Sequence, residues 1–152
     1  MENTSTQVHK RHNVSVIILH YVCPAKYRRI VVNTEVDMTI KEACLEIEKR
    51  YDIRFLEIGT DRDHVHFLIQ TTPNRNPSQI IQVIKSITAR EVFRNHPDVK
   101  KQLWGGEFWT NGYYVATVGK SNNEATVAQY VREQGKEAEY KKLHSQQLGL
   151  FE

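Results

Sequence analysis

Two stretches of this chain carry apolar residues at helical spacing, and each lies between stretches that read as strands. In the first, over residues 38–51, Ile40, Ala43, Cys44, Ile47 and Tyr51 share a face, with Thr34, Asp37 or Thr39 near its start as capping candidates. In the second, Ile80, Ile81, Ile84, Ile87, Thr88 and Val92 mark a buried stripe. Pro77 stands where that helix begins and Pro97 near where it ends. Around them lie the strands. "VSVIILHYV" over 14–22 is β-branched and apolar enough for a central strand closed by Pro24. "IRFLEIGT" over 53–60 sets Ile53, Phe55 and Glu57 against Arg54, Leu56 and Ile58, and "TDRD" turns it into a strand over 64–70. After the loop "LWGGEFWTNG" comes a strand over 113–118, broken by Gly119.

The order β-α-β-β-α-β predicts an α+β fold of the ferredoxin-like class, a four-stranded antiparallel sheet backed by two helices. One addition follows. "SNNE" over 121–124 resembles a capping box opening a C-terminal helix that runs to about Gln134 or Gly135. At 152 residues a single domain is expected, with a flexible tail over 1–13, the folded domain over 14–135, and a partly helical tail over 136–152.

No apolar run is long enough to span a bilayer and no signal segment opens the chain, so a cytoplasmic protein with no membrane partner is expected. Cys23 and Cys44 lie far apart, with no Cys-x-x-Cys pair, and are expected to be reduced and buried. The net charge of +3 is small, but the basic residues cluster: "HKRH" over 9–12, "KYRR" over 26–29, and Lys pairs at 100–101 and 141–142. Such clusters suit a polyanion and equally suit a solvated surface.

Within the strand over 64–70, "HVHFLI" places His64 and His66 on one face and Val65 and Phe67 on the other. Two imidazoles about 6–7 Å apart along a strand face can chelate a divalent cation, although an exposed sheet face also tolerates two polar aromatics. A hard cation wants an oxygen ligand as well. In "QYVREQ", Tyr130 and Gln134 are four apart and project from one side of the last helix, next to Val127 and Val131. Tyr140 and His144 share that spacing, but in a charged segment without a clear apolar stripe.

The segments "HVHFLI", "LWGGEFWTNGYYVATVGK" and "VAQYVREQG", with the earlier "AKYRR", resemble the small single-strand transposases of bacterial insertion sequences, the insertion-sequence-200/605 family of HUH-tyrosine nucleases. The likeness runs from about Val14 to Gly135. It implies that His64, His66 and Gln134 hold a divalent metal, Mg²⁺ or Mn²⁺, and that Tyr130 is the nucleophile. It implies excision and integration of an insertion sequence as single-stranded DNA, through a 5′-phosphotyrosine and a free 3′-hydroxyl. It further implies a homodimer that exchanges its tyrosine helices, with Gly119 as a reasonable hinge, and that binds single-stranded DNA hairpins at the element's ends.

Lys26, Tyr27, Arg28, Arg29, Lys85 and Arg90 are the candidate DNA contacts. Tyr27, Trp104, Phe108 and Trp109 could stack on bases, though large rings more often fill a core or an interface. Two other readings compete: a non-catalytic module like the RNA-recognition domains, which would want aromatics where this chain has histidines, and a domesticated HUH nuclease acting on palindromic repeats. The short chain favours the minimal transposase.

Overall fold

The computed structural model describes residues 8–10, 13–103 and 105–119. They form β1 (Val8–Lys10), β2 (Asn13–Ser15), β3 (Ile17–Pro24), α1 (Thr34–Arg50), β4 (Arg54–Thr60), β5 (His64–Thr71), α2 (Pro77–Asn95), α3 (Pro97–Gln102) and β6 (Tyr114–Val118). The main sheet has the order β4-β5-β3-β6, every neighbouring pair antiparallel. This is the split βαβ arrangement expected from the sequence: α1 carries the chain from β3 to β4 and leaves between them a slot that β5 fills, and α2 carries it from β5 past β3 to β6 on the other edge. The C-terminal helix expected after Gly119 lies outside the described residues, as do Trp104 and the tail over 136–152.

Strand parity divides the sheet. Leu19, Tyr21, Cys23, Val65, Phe67 and Ile69 face α1 and α2 and join their Val36, Ile40, Cys44, Ile47, Ile80, Ile81, Ile84 and Val92 in one core. Burying each large side chain of that core is worth about 1.5–3 kcal/mol, so the helices adhere through this stripe rather than through helix propensity. The Tyr21 hydroxyl donates to the Pro77 carbonyl at 2.7 Å, tying the central strand to the start of α2. Cys23 and Cys44 are buried free thiols. Phe108 and Trp109 are buried in this core rather than exposed.

Several boundaries differ from the sequence expectation. α1 begins at Thr34, about a turn before residue 38, because buried Val36 extends the apolar stripe backward and the Asn33 side chain accepts from Val36 N. α2 begins at Pro77 as expected, closed by a reciprocal capping box between Asn76 and Gln79. Pro97 opens the short helix α3 instead of only ending α2.

In β4 a bulge between Phe55 and Glu57 shifts the pairing register. Ile58, expected opposite in phase to Phe55, therefore joins it in the core, while Glu57 pairs with Leu68 across the other face. The strand expected over 14–22 is divided at Val16, and Val8–Lys10, expected within a tail, pairs with β2. Among the described residues no helix is long and apolar enough to cross a membrane.

Candidate active site

The sheet face turned away from the helices carries the histidines. β5 lies between β3 and β4, with Val22 and Gly59 opposite His66 and Pro24 opposite His64. Gly59 contributes no side chain, which keeps bulk off the β4 side of His66. The two rings stand 5.0 Å apart between centroids, inclined at 68°. The strand geometry thus brings both imidazoles to one place, as the alternation predicts.

Each ring has a partner on one nitrogen. His64 Nδ1 donates to Asp63 Oδ1 at 2.8 Å, and Asp63 Oδ2 takes the Arg28 Nε at 3.2 Å. A neutral His64 held this way has its lone pair on Nε2, which lies 4.0 Å from Asp61 Oδ2. His66 Nδ1 lies 2.9 Å from Nε2 of His20 on β3, the ring planes nearly parallel at 10°. His66 Nε2 is buried and, among the described residues, has no hydrogen-bond partner.

Charge is suppressed here. Burial lowers the His20 pKa to about 4. Burial, then repulsion from His20 and His64, lowers His66 to about 3 against the opposing pull of Asp61. Both rings are therefore neutral near neutral pH, each with one N–H and one lone pair. Neutral imidazole nitrogens beside carboxylates form a donor set suited to a divalent cation. Among the described residues no three His, Cys, Asp or Glu side chains converge as a complete metal site. A third ligand would have to come from elsewhere, and both Gln134 and Tyr130 lie outside the described residues.

The other candidates divide by position. Lys26, Tyr27, Arg28 and Arg29 follow β3 directly, beside Asp63 and the start of β5: Ala25 N donates to Asp63 O at 2.8 Å. Lys26 pairs with Glu107 at 2.7 Å, Arg28 holds Asp63, and the Arg29 side chain is exposed. Tyr27 and Arg28 adopt left-handed φ values of 59° and 53°, costly for residues with a Cβ, and Tyr27 is exposed. Lys85 and Arg90 belong to α2 on the opposite side of the sheet. Lys85 Nζ donates to the Thr110 and Gly112 carbonyls at 2.7 and 2.9 Å. Exposed Arg90 lines a basic cavity with Arg50 and Arg75. The histidines are brought together with the Lys26 to Arg29 turn, and not with Lys85 or Arg90.

Sequence reasoning overlooked His20, Asp61 and Asp63. The signal for His20 was its place as a polar residue inside the apolar run "VIILHYV", where only burial against a polar partner is tolerable.

The family described as Transposase IS200 like matches residues 13–134. The ISDra2 transposase TnpA of Deinococcus radiodurans is 30% identical over 115 residues, which is 76% of this chain and 81% of the relative. The transposase for insertion sequence element IS200 of Salmonella typhimurium is 28% identical over 134 residues, 88% of this chain and 85% of the relative. Among solved structures, a protein assigned as a transposase from Deinococcus radiodurans R1 superposes with a TM-score of 0.68 at 27% identity, covering 84% of this chain and 98% of that one. A REP-associated tyrosine transposase bound to a REP hairpin shares the fold, with a TM-score of 0.54 at 10% identity over 80% of this chain and 67% of that one. By the extent of the family match and the agreement of the fold, the chain belongs to the IS200-like transposase family, proteins of insertion-sequence DNA transposition.

Proposed function

We propose that this transposase cuts and rejoins single-stranded DNA at the ends of an insertion sequence, with Tyr130 as the nucleophile. The phenolic oxygen of Tyr130 forms a bond to the scissile phosphorus while the bond from phosphorus to the 3′ oxygen breaks. The phenol gives up one proton and the departing 3′ oxygen takes up one, leaving a 5′-phosphotyrosine and a free 3′-hydroxyl. In the reverse sense a DNA 3′-hydroxyl attacks the phosphotyrosine, and Tyr130 leaves as the phenol. No external energy source is needed, because one phosphoester replaces another.

His64, His66 and Gln134 would hold a divalent metal, Mg²⁺ or Mn²⁺, which when bound withdraws charge from the phosphate and orients it for in-line attack. The observation that supports this reading is His66 Nε2, a buried nitrogen without a partner among the described residues, beside a second imidazole whose other nitrogen is already engaged. Asp63 and Arg28 orient His64, and Asp61 adds negative charge at its Nε2. Exposed Tyr27, with Lys26, Arg28 and Arg29, offers an aromatic face and cations for a single strand entering beside His64. Arg90, on the helical side, would meet DNA backbone away from the cleaved bond, and Lys85, whose ammonium clasps two carbonyls, would support that surface.

The same reading makes the working protein a homodimer acting on DNA hairpins at the element's ends, each subunit's tyrosine helix crossing to its partner after Gly119. The test is incubation of the full chain with single-stranded DNA from both flanks of its coding region, with Mg²⁺ or Mn²⁺. A covalent adduct and a new 3′-hydroxyl, both abolished by chelator, are expected. Cutting that persists in chelator, or no cutting with either metal, contradicts the reading.

A further inference from the structure

We propose that His20 is a positioning residue: it accepts the Nδ1 proton of His66 and so holds that ring in the tautomer that presents Nε2 as a lone pair to the metal. The inference rests on the metal reading above. It follows from counting donors and acceptors at two buried rings. His20 Nε2 and His66 Nδ1 share one hydrogen bond at 2.9 Å, so one nitrogen donates and the other accepts. Were His66 the acceptor, its own proton would sit on Nε2, which is buried without a partner among the described residues. A buried N–H with no acceptor is rarer and less tolerable than an unfilled lone pair. The proton therefore belongs on His66 Nδ1, and the open Nε2 is an acceptor that a cation can fill.

His20 thus does for His66 what Asp63 does for His64. Ligating histidines generally donate their second ring N–H to such a partner. The two sites differ in exposure, and the partners differ accordingly. Asp63 keeps some contact with solvent and pairs with Arg28, whereas His20 is 0% exposed. A neutral acceptor at that depth orients the ligand without burying a charge. The edge of Tyr114, 6.1 Å away and inclined at 73°, packs against the His20 ring.

The test uses the full chain labelled with ¹⁵N-histidine in metal-free buffer, with His66 assigned through His66→Gln. Long-range ¹H–¹⁵N spectra should show His66 protonated at Nδ1. Mn²⁺ affinity, read by electron paramagnetic resonance, should fall about 10–100-fold in His20→Phe. In His20→Gln, whose side-chain oxygen can accept the same proton, most of that affinity should return. A His66 proton found on Nε2 overturns the inference, as does a folded His20→Phe that binds Mn²⁺ like the unaltered chain. Should His20→Phe not fold, the tautomer of the unaltered chain and the affinity of His20→Gln decide. Absence of Mn²⁺ binding in the unaltered chain would instead overturn the metal reading itself, an outcome distinct from an unaffected His20 variant.

Discussion

Asp63 Oδ1 stands 2.8 Å from His64 Nδ1, with the other carboxylate oxygen on Arg28 Nε at 3.2 Å, so a chain of side chains from the turn after β3 fixes the orientation of one histidine. Removing the middle member frees the ring to rotate. Asp63→Ala should therefore lower Mn²⁺ affinity and DNA cleavage about 10–100-fold with little change in thermal stability. Arg28→Ala should do the same to a smaller degree. Unaltered metal binding in Asp63→Ala would show that the carboxylate serves only the turn.

Trp109 Nε1 donates to Thr88 Oγ1 at 3.0 Å in the core, and Thr88 Oγ1 donates in turn to the Ile84 carbonyl at 2.6 Å. Thr88→Val keeps the shape and leaves the indole N–H unpaired. A loss of about 1–3 kcal/mol in urea denaturation is expected. Cleavage of single-stranded DNA well below the melting temperature should be retained. A neutral effect on stability would mean that Trp109 finds another acceptor.

Both His20 and His66 have pKa values lowered by burial, to about 4 and about 3. Below the ordinary histidine value of about 6.5 the unfolded chain takes up protons that the folded chain refuses. Their contribution is thus full above about pH 6.5, and stability falls as pH drops from there toward the folded values. Urea midpoints of the metal-free protein should decline between pH 6.5 and 4.5, and the decline should be shallower in His20→Gln. Equal slopes in the two proteins would place the acid sensitivity elsewhere.

If the tyrosine helices are exchanged between subunits, a dimer combining His64→Ala with Tyr130→Phe contains one site with both defects and one with neither. Mixing the two inactive variants should restore cleavage to roughly a quarter of the activity of the unaltered protein, since about half of randomly assorted dimers are mixed and each has one intact site. No recovery after subunit exchange would favour sites built within one subunit.

The parts of this structure legible in the sequence are those governed by local periodicity. His64 and His66 share a face because alternation along a strand requires it, and the stripe from Ile80 to Val92 declares its helix. What escaped depends on pairing between distant segments. His20 meets His66 across 46 residues, a contact created by the register of β3 on β5. Ile58 changes face because one extra residue in β4 resets the phase, and nothing in "RFLEIG" marks that bulge. α1 starts early because Val36 is covered by tertiary packing, which overrides a weak local signal. Tyr130 and Gln134 stand out in the sequence by spacing and by resemblance, and they lie outside the described residues.

The central claim is that a tyrosine of the C-terminal segment does its chemistry at the His64 and His66 pair. It is tested most directly by mass spectrometry of the chain after reaction with its own flanking single-stranded DNA and nuclease trimming. The account predicts a 5′-phosphonucleotide on Tyr130, absent in chelator and lost in His66→Ala. An adduct on another residue, or one that forms undiminished in His66→Ala, would contradict it.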